Sequence, residues 1–156
     1  MTSPIRPTDD EARDLAKHLM HTAKFGALAC TWENAPMVTR VAVAWVKGEL
    51  LSLVSELSVH TQALRANPTL SLLMGEPGEK GDPLTYPRLT LFGTAQIVEH
   101  KTAAFAAMRA PYLREYPKAK LYIDFTDFVF LQVKPTAAHL NGGFGRAFHL
   151  TPEDLI

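Results

Sequence analysis

The chain has 156 residues, 16 Lys plus Arg against 16 Asp plus Glu, 47% hydrophobic residues and a single cysteine. Zero formal net charge with no basic run excludes the electrostatic footprint of a nucleic-acid binder. The lone Cys30 excludes an intrachain disulfide framework, and the opening MTSPIRPTDD has no apolar stretch of the kind a secretory signal needs, so a cytoplasmic protein without a membrane partner is expected.

Thr8 and Glu11 form a T-x-x-E capping box, and Ala12, Leu15, Ala16, Leu19 and Met20 recur at helical spacing, which predicts a leading helix over 9–22. From Gly26 onward short β-rich runs take over, at 27–31, 37–46, 50–55, 69–74, 88–98 and 128–135. Glu33-Asn34 and Lys47-Gly48 supply tight turns between the first three runs. Two helical segments interrupt them: Ser58 to Ala66, closed by Asn67-Pro68, and Lys101 to about Tyr116, where Pro111 should start a new turn or a kink. Residues 75–87 are rich in Gly and Pro and read as a loop. Six strands and few helices predict a mainly β fold with flanking helices, built as an antiparallel barrel.

The run Val41 to Trp45 is apolar at alternate positions on both faces. In an antiparallel sheet neither face of such a strand meets water. One face lines the barrel; the other needs a helix of the same chain or a second subunit, and a symmetric dimer is the expectation.

Chemistry concentrates in four places. Ser55-Glu-Leu-Ser58-Val-His60-Thr61 puts hydroxyls and an imidazole at the first turn of a helix, where free N–H groups favour an anion; ordinary capping by Ser58 is the plainer alternative. Thr39 and Arg40 stand on the second strand, and Arg40 is suited to phosphate or to a surface salt bridge. Arg88 opens an alternating strand and is either solvated or turned over a ligand at the barrel mouth. Leu140-Asn-Gly-Gly-Phe-Gly-Arg-Ala-Phe-His149 combines three glycines with Phe144, Arg146 and His149, as either a loop or a segment that meets a ligand. His18 and His21 share a helix face with no third ligand, Cys30 has no activating partner, and neither hydrolase nor P-loop motifs occur.

Several segments line up, in order, with one family: Phe25-Gly-Ala-Leu-Ala-Cys30, Ser55-x-Leu57-x-x-His60-Thr61-x-x-Leu64, Asn67-Pro68-x-x-Ser71-Leu72-Leu73, Gly81-Asp82-Pro83-Leu84, Pro87-Arg88-Leu89-Thr90-Leu91-x-Gly93 and Gly142-Gly-Phe-Gly-Arg-Ala147. Together they resemble the pyridoxamine 5'-phosphate oxidase-related FMN-binding split barrels, and within them the haem-utilisation (HugZ-type) branch. The resemblance implies a six-stranded antiparallel split β-barrel over 1–156 as one FMN-binding domain, with a tail over 1–8, the helix over 9–22 and a Gly-rich flap and tail over 140–156. It also implies a homodimer with two FMN molecules at the interface and a small-molecule substrate.

By the same resemblance, Thr39, Arg40, Val41, Ala42 and Val43 run along the flavin, and Ser55, Ser58, His60 and Thr61 hold its phosphate. Arg88 faces the flavin ring, and Phe144 and Arg146 close over the pocket, that of the partner subunit. His60 stands where related oxidases commonly carry a lysine, so part of the fixed positive charge falls to Arg40 or to the helix end. The arginine-, tryptophan- and histidine-rich segment with which true pyridoxamine-phosphate oxidases grip substrate is not found after Arg146, and that activity is not expected. The implied function is an FMN-dependent oxidoreductase acting on an unidentified small substrate, with no catalytic residue assigned. The alternatives are a haem-binding or haem-degrading protein using the same cleft, with His149 or His139 as iron ligand, and a non-catalytic flavin binder.

Overall fold

The computed structural model describes residues 3–156; Met1 and Thr2, part of the expected tail, lie outside the described residues. The helices are α1 (Asp10–Thr22), α2 (Val59–Ala66) and α3 (Ala103–Glu115). The strands are β1 (Ile5–Arg6), β2 (Phe25–Trp32), β3 (Ala35–Ala42), β4 (Ala44–Val46), β5 (Glu49–Ser55), β6 (Thr69–Met74), β7 (Arg88–Val98), β8 (Phe128–Asn141) and β9 (Ala147–Leu150).

The architecture is mainly β and barrel-like, but the sheet has nine strands rather than six and its ladder is open. The order is β1-β9-β8-β7-β6-β2-β3, with β5 added to β8 and β4 to β5. The expected second strand divides at Val43, whose N–H turns aside to the Lys24 carbonyl, so β3 pairs with β2 while β4 pairs with β5. Two further strands come from the segments expected to be tails: β1 and β9 lie side by side, and in parallel. β8 continues to Asn141 instead of ending near Pro135, because that proline sits opposite Gly93 at a bulge, where the ladder tolerates a missing N–H.

Local signals explain most boundaries. Glu33 and Asn34 have φ 49° and 63°, and Lys47 and Gly48 have 49° and 81°, the left-handed pair that a two-residue hairpin turn requires. The α1 cap is Asp9, whose carboxylate accepts the Ala12 N–H at 2.8 Å; the Thr8 hydroxyl donates instead to the His149 carbonyl at 2.8 Å and ties the N-terminal segment to β9. α3 runs through Pro111 without a new start, with Phe105, Pro111 and Tyr112 all buried.

Two apolar clusters flank the β3–β4 run. Val41, Val43, Leu28, Leu50 and Leu72 fill the barrel with Ala16 and Met20 of α1. Ala44, Val46, Leu51 and Leu53 pack instead beneath Phe105 and Tyr112 of α3. Trp45 stacks on His21 of α1, with ring centroids 4.3 Å apart. Both faces of 41–46 are thus covered within one chain, and its apolar pattern does not call for a second subunit.

The face left open lies elsewhere. On the outward side of β2, β3, β6, β7 and β8 the alternate residues are half-buried or exposed, with Val38 66% and Leu73 42% accessible. The strand registers set one row straight across this face: His149, His139, Thr90, Leu73, Ala27 and Arg40.

Candidate functional site

The residues singled out in the sequence separate into two clefts. The first, of about 270 Å³, opens where α2 begins and is lined by Arg40, Val41, Ala42, Ser55, Ser58 and His60. Ser58 occupies the cap position of α2, yet its hydroxyl makes no cap hydrogen bond among the described residues. The Ser55 hydroxyl is committed: it accepts the Leu57 N–H at 3.1 Å and donates to the Asp127 carboxylate at 2.6 Å. Thr39 Oγ1 lies 3.3 Å from His60 Nδ1, so Thr39 acts on the cleft by fixing that ring.

Charge in this α2 cleft is sparse. Burial pushes the His60 pKa below its ordinary value and keeps the imidazole neutral. Arg40 forms no ion pair among the described residues, and its guanidinium carbon sits 5.5 Å from the centroid of the Phe25 ring. One arginine and a short helix end therefore supply the attraction for an anion, with the Asp127 carboxylate at Ser55 working against it.

Besides Thr39 and Arg88, four expected residues do not line this cleft. Val43 is 1% exposed inside the barrel core, and Thr61 is fully buried with its hydroxyl unpartnered, because the α2 face that carries Thr61 and Leu64 packs inward. Phe144 is 93% exposed at the tip of the β8–β9 hairpin. Arg146 donates to Glu11 of α1 at 2.7 Å. The Gly-rich stretch makes that hairpin turn, with Gly143 and Gly145 at φ 121° and 68°; Gly142 to Arg146 line neither cleft, while Leu140, Asn141, Ala147, Phe148 and His149 on either side of the turn line the second. Tyr122 and Phe128 also line the α2 cleft and were not anticipated. The spacing of Tyr122, Phe125 and Phe128 was the available signal, but only the Ser55–Phe128 pairing of β5 with β8 brings them to the site.

Arg88 belongs to the second cleft, of about 190 Å³, together with Thr90, Asn141, His139 and His149. β8 and β9 pair His139 directly with His149, and the two rings stack at 3.9 Å between centroids with an interplanar angle of 14°. Phe92 meets His139 edge-on at 4.8 Å. Burial, and secondarily the charge His149 would carry, lower the His139 pKa, so the ring is neutral and its nitrogens are available as donors. Arg88 gives one N–H group to the carbonyls of Leu84 and Tyr86, at 2.9 and 3.3 Å, which holds its side chain over the cleft with other N–H groups free.

The CREG beta-barrel model matches residues 7–155. The chain belongs to that family. It is 40% identical over 101 residues to the non-canonical heme oxygenase HOZ, chloroplastic, of Arabidopsis thaliana, a match covering 65% of this chain and 30% of HOZ. A heme binding protein from Mycobacterium smegmatis superposes with a TM-score of 0.82 at 30% identity, over 97% of this chain and 61% of that one. ChuZ of Campylobacter jejuni shares the fold, with a TM-score of 0.84 at 16% identity over 96% and 63% of the two chains. The chain thus spans under a third of HOZ and about three fifths of the mycobacterial protein. Family and fold agree with the pyridoxamine-phosphate-oxidase-like split barrel and its haem-utilisation branch. No helix among the described residues is long and apolar enough to cross a membrane.

Proposed function

We propose that this protein binds haem in a haem-utilisation role, with His139 or His149 as the iron ligand and Arg88 facing a propionate. The stacked His139–His149 pair carries this reading. Both rings are free of side-chain hydrogen bonds among the described residues and the pair is edged by Phe92, so an imidazole nitrogen is available to iron beside an apolar surface suited to the macrocycle. Arg88 offers the planar fork that suits a carboxylate. The HOZ and Mycobacterium smegmatis relatives, named respectively as a heme oxygenase and a heme binding protein, support the same cofactor class. Bound haem would supply an iron centre able to bind or activate oxygen, while the chain supplies ligands, counter-charge and an apolar face.

We further propose that residues 1–156 act as one domain, supported by the family match across 7–155, and that a second copy covers the outward sheet face and encloses the cleft. Val38 and Leu73 on that face are the reason. Titration of the protein with haemin should give an intense Soret band that His139→Ala with His149→Ala removes and His60→Ala leaves unchanged. A band that survives loss of both histidines refutes the ligand assignment. Light scattering should give a dimer mass, and a strict monomer with haemin bound refutes the enclosing copy.

A second reading rests on one observation, the gathering of Arg40, Ser58 and His60 in the α2 cleft with Tyr122 and Phe128 beside them. There FMN would place its phosphate on Ser58 and Arg40, as an oxidoreductase cofactor or as the ligand of a non-catalytic binder. Its test is FMN titration: the two-band spectrum of bound flavin should form, and Ser58→Ala with His60→Ala should weaken FMN more than riboflavin. Equal losses would remove the phosphate assignment.

A further inference from the structure

The cleft that holds the histidine pair is walled along one side by the segment ahead of α1. Ile5, half-buried, is among its lining residues and lies on β1, the end strand of the sheet. β1 is only two residues long, with Pro4 before it and Pro7 after it, neither of which has an N–H to give to a ladder. The Ile5 N–H is itself spent locally, donated to the Ser3 hydroxyl at 3.2 Å. Beyond Pro7, the Thr8 hydroxyl donates to the His149 carbonyl at 2.8 Å, and the next residue, Asp9, caps α1.

Residues 3–8 contain no fully buried side chain, and the side-chain hydrogen bonds that hold them are exposed. Such a segment opens at low cost while the barrel behind it stays folded. The α1 cap gives it a fixed point to swing from, and its outer hold falls on the backbone of His149 itself. The proposed second copy rests on Val38 of β3 and Leu73 of β6, toward the opposite end of the strand order. That copy closes the cleft from the face of the sheet, which leaves the β1 edge as the way in.

We propose that residues 3–8 form a strap on the edge of the histidine cleft, latched by Thr8, and that haem enters and leaves by its release. The cargo rests on the haem reading; the latch is tested without haem. Ile5 and Ala147 face each other across β1 and β9 and both line the cleft, so Ile5→Cys with Ala147→Cys can join the strap to β9 as a disulfide. Rapid mixing with haemin should show association and release at least tenfold slower in the disulfide form than in the same protein reduced, with Kd and the Soret maximum unchanged. Thr8→Val keeps the shape and removes the hydroxyl; it should take up and release haemin about fivefold faster, the size of one exposed hydrogen bond, and Thr8→Ser should restore the slower rates. In the haem-free protein, NMR order parameters of the Ile5 and Arg6 amides should fall below about 0.6 in Thr8→Val and recover in Thr8→Ser. Haemin rates alike in the disulfide and reduced forms, or order parameters that Thr8→Val leaves unchanged, would overturn the strap. Failure of the unsubstituted protein to take up haemin would overturn the haem reading and the strap's cargo with it, while the order parameters still decide the latch.

Discussion

The two histidine-bearing clefts set the same side chain to different uses. His60 is half-buried at the start of α2, with one nitrogen held against Thr39 and a carboxylate nearby at Ser55. His139 and His149 are exposed, face each other across two strands and carry no side-chain hydrogen bond among the described residues. A tethered imidazole positions a ligand; one whose nitrogens are unused can coordinate a metal. The residue type therefore does not identify the site. What identifies it is whether the lone pairs are already in use.

The sharpest way to break this contrast is to remove donors on each side. Replacing His139 and His149 together by alanine should weaken haemin binding by about a hundredfold, or about 2.8 kcal/mol, while His60→Ala should leave it within twofold. Absorbance titration at the Soret band checks both. The pH dependence follows from the lowered His139 pKa. Its folded-state pKa lies below the ordinary value near 6.5, so the ring stays neutral as pH falls to that point, and haemin affinity should drop only as pH passes through the lower folded value. Folding stability has the same sign for His60 and His139: their contribution is complete above about pH 6.5 and is lost as pH falls through the folded values, because the unfolded chain takes up the proton first. Denaturant midpoints at pH 7.5 and 5.5 measure it. A rise in stability on acidification would contradict the direction for both rings.

A smaller effect sharpens the other half of the contrast. If the carboxylate at Ser55 opposes a phosphate in the α2 cleft, Asp127→Asn keeps an acceptor for the Ser55 hydroxyl while removing the charge. FMN should then bind about tenfold tighter, or about 1.4 kcal/mol, with riboflavin unchanged. An equal gain for both flavins would mean that the carboxylate does not act on the phosphate.

Much of this arrangement was legible in the sequence wherever local chemistry decides the outcome. The turn pairs at 33–34 and 47–48 fix hairpins, and the helix and strand runs are set by periodicity that tertiary packing reinforces. Arg40, Val41, Ala42, Ser55, Ser58 and His60, which the family resemblance grouped and local chemistry alone did not, line one cleft. What escaped depends on distant pairing. Arg88 joins His139 and His149 only because β7, β8 and β9 are neighbours, and Tyr122 and Phe128 join the α2 cleft only because β8 lies beside β5. The apolar run at 41–46 could not say which of two possible covers it had, since burial under α1 and α3 and burial under a second subunit leave the same pattern.

Thr61 gives the smallest test, and it concerns how the α2 cleft is bounded. It neighbours His60 in the motif, yet α2 turns each residue by about 100° relative to the last, so adjacent residues cannot both face the cleft. The structure sends His60 outward and Thr61 into the core, where its hydroxyl has no hydrogen-bond partner. A hydroxyl buried without a partner costs about 1 kcal/mol or more, and valine has nearly the same shape. Thr61→Val should therefore stabilise the fold by about 1 kcal/mol, raising the urea midpoint by roughly 0.5 M for an ordinary dependence on denaturant. FMN affinity should stay the same. A loss of FMN binding without a loss of stability would show that the hydroxyl reaches the ligand after all, and the inner wall of the α2 cleft would have to be redrawn to include it.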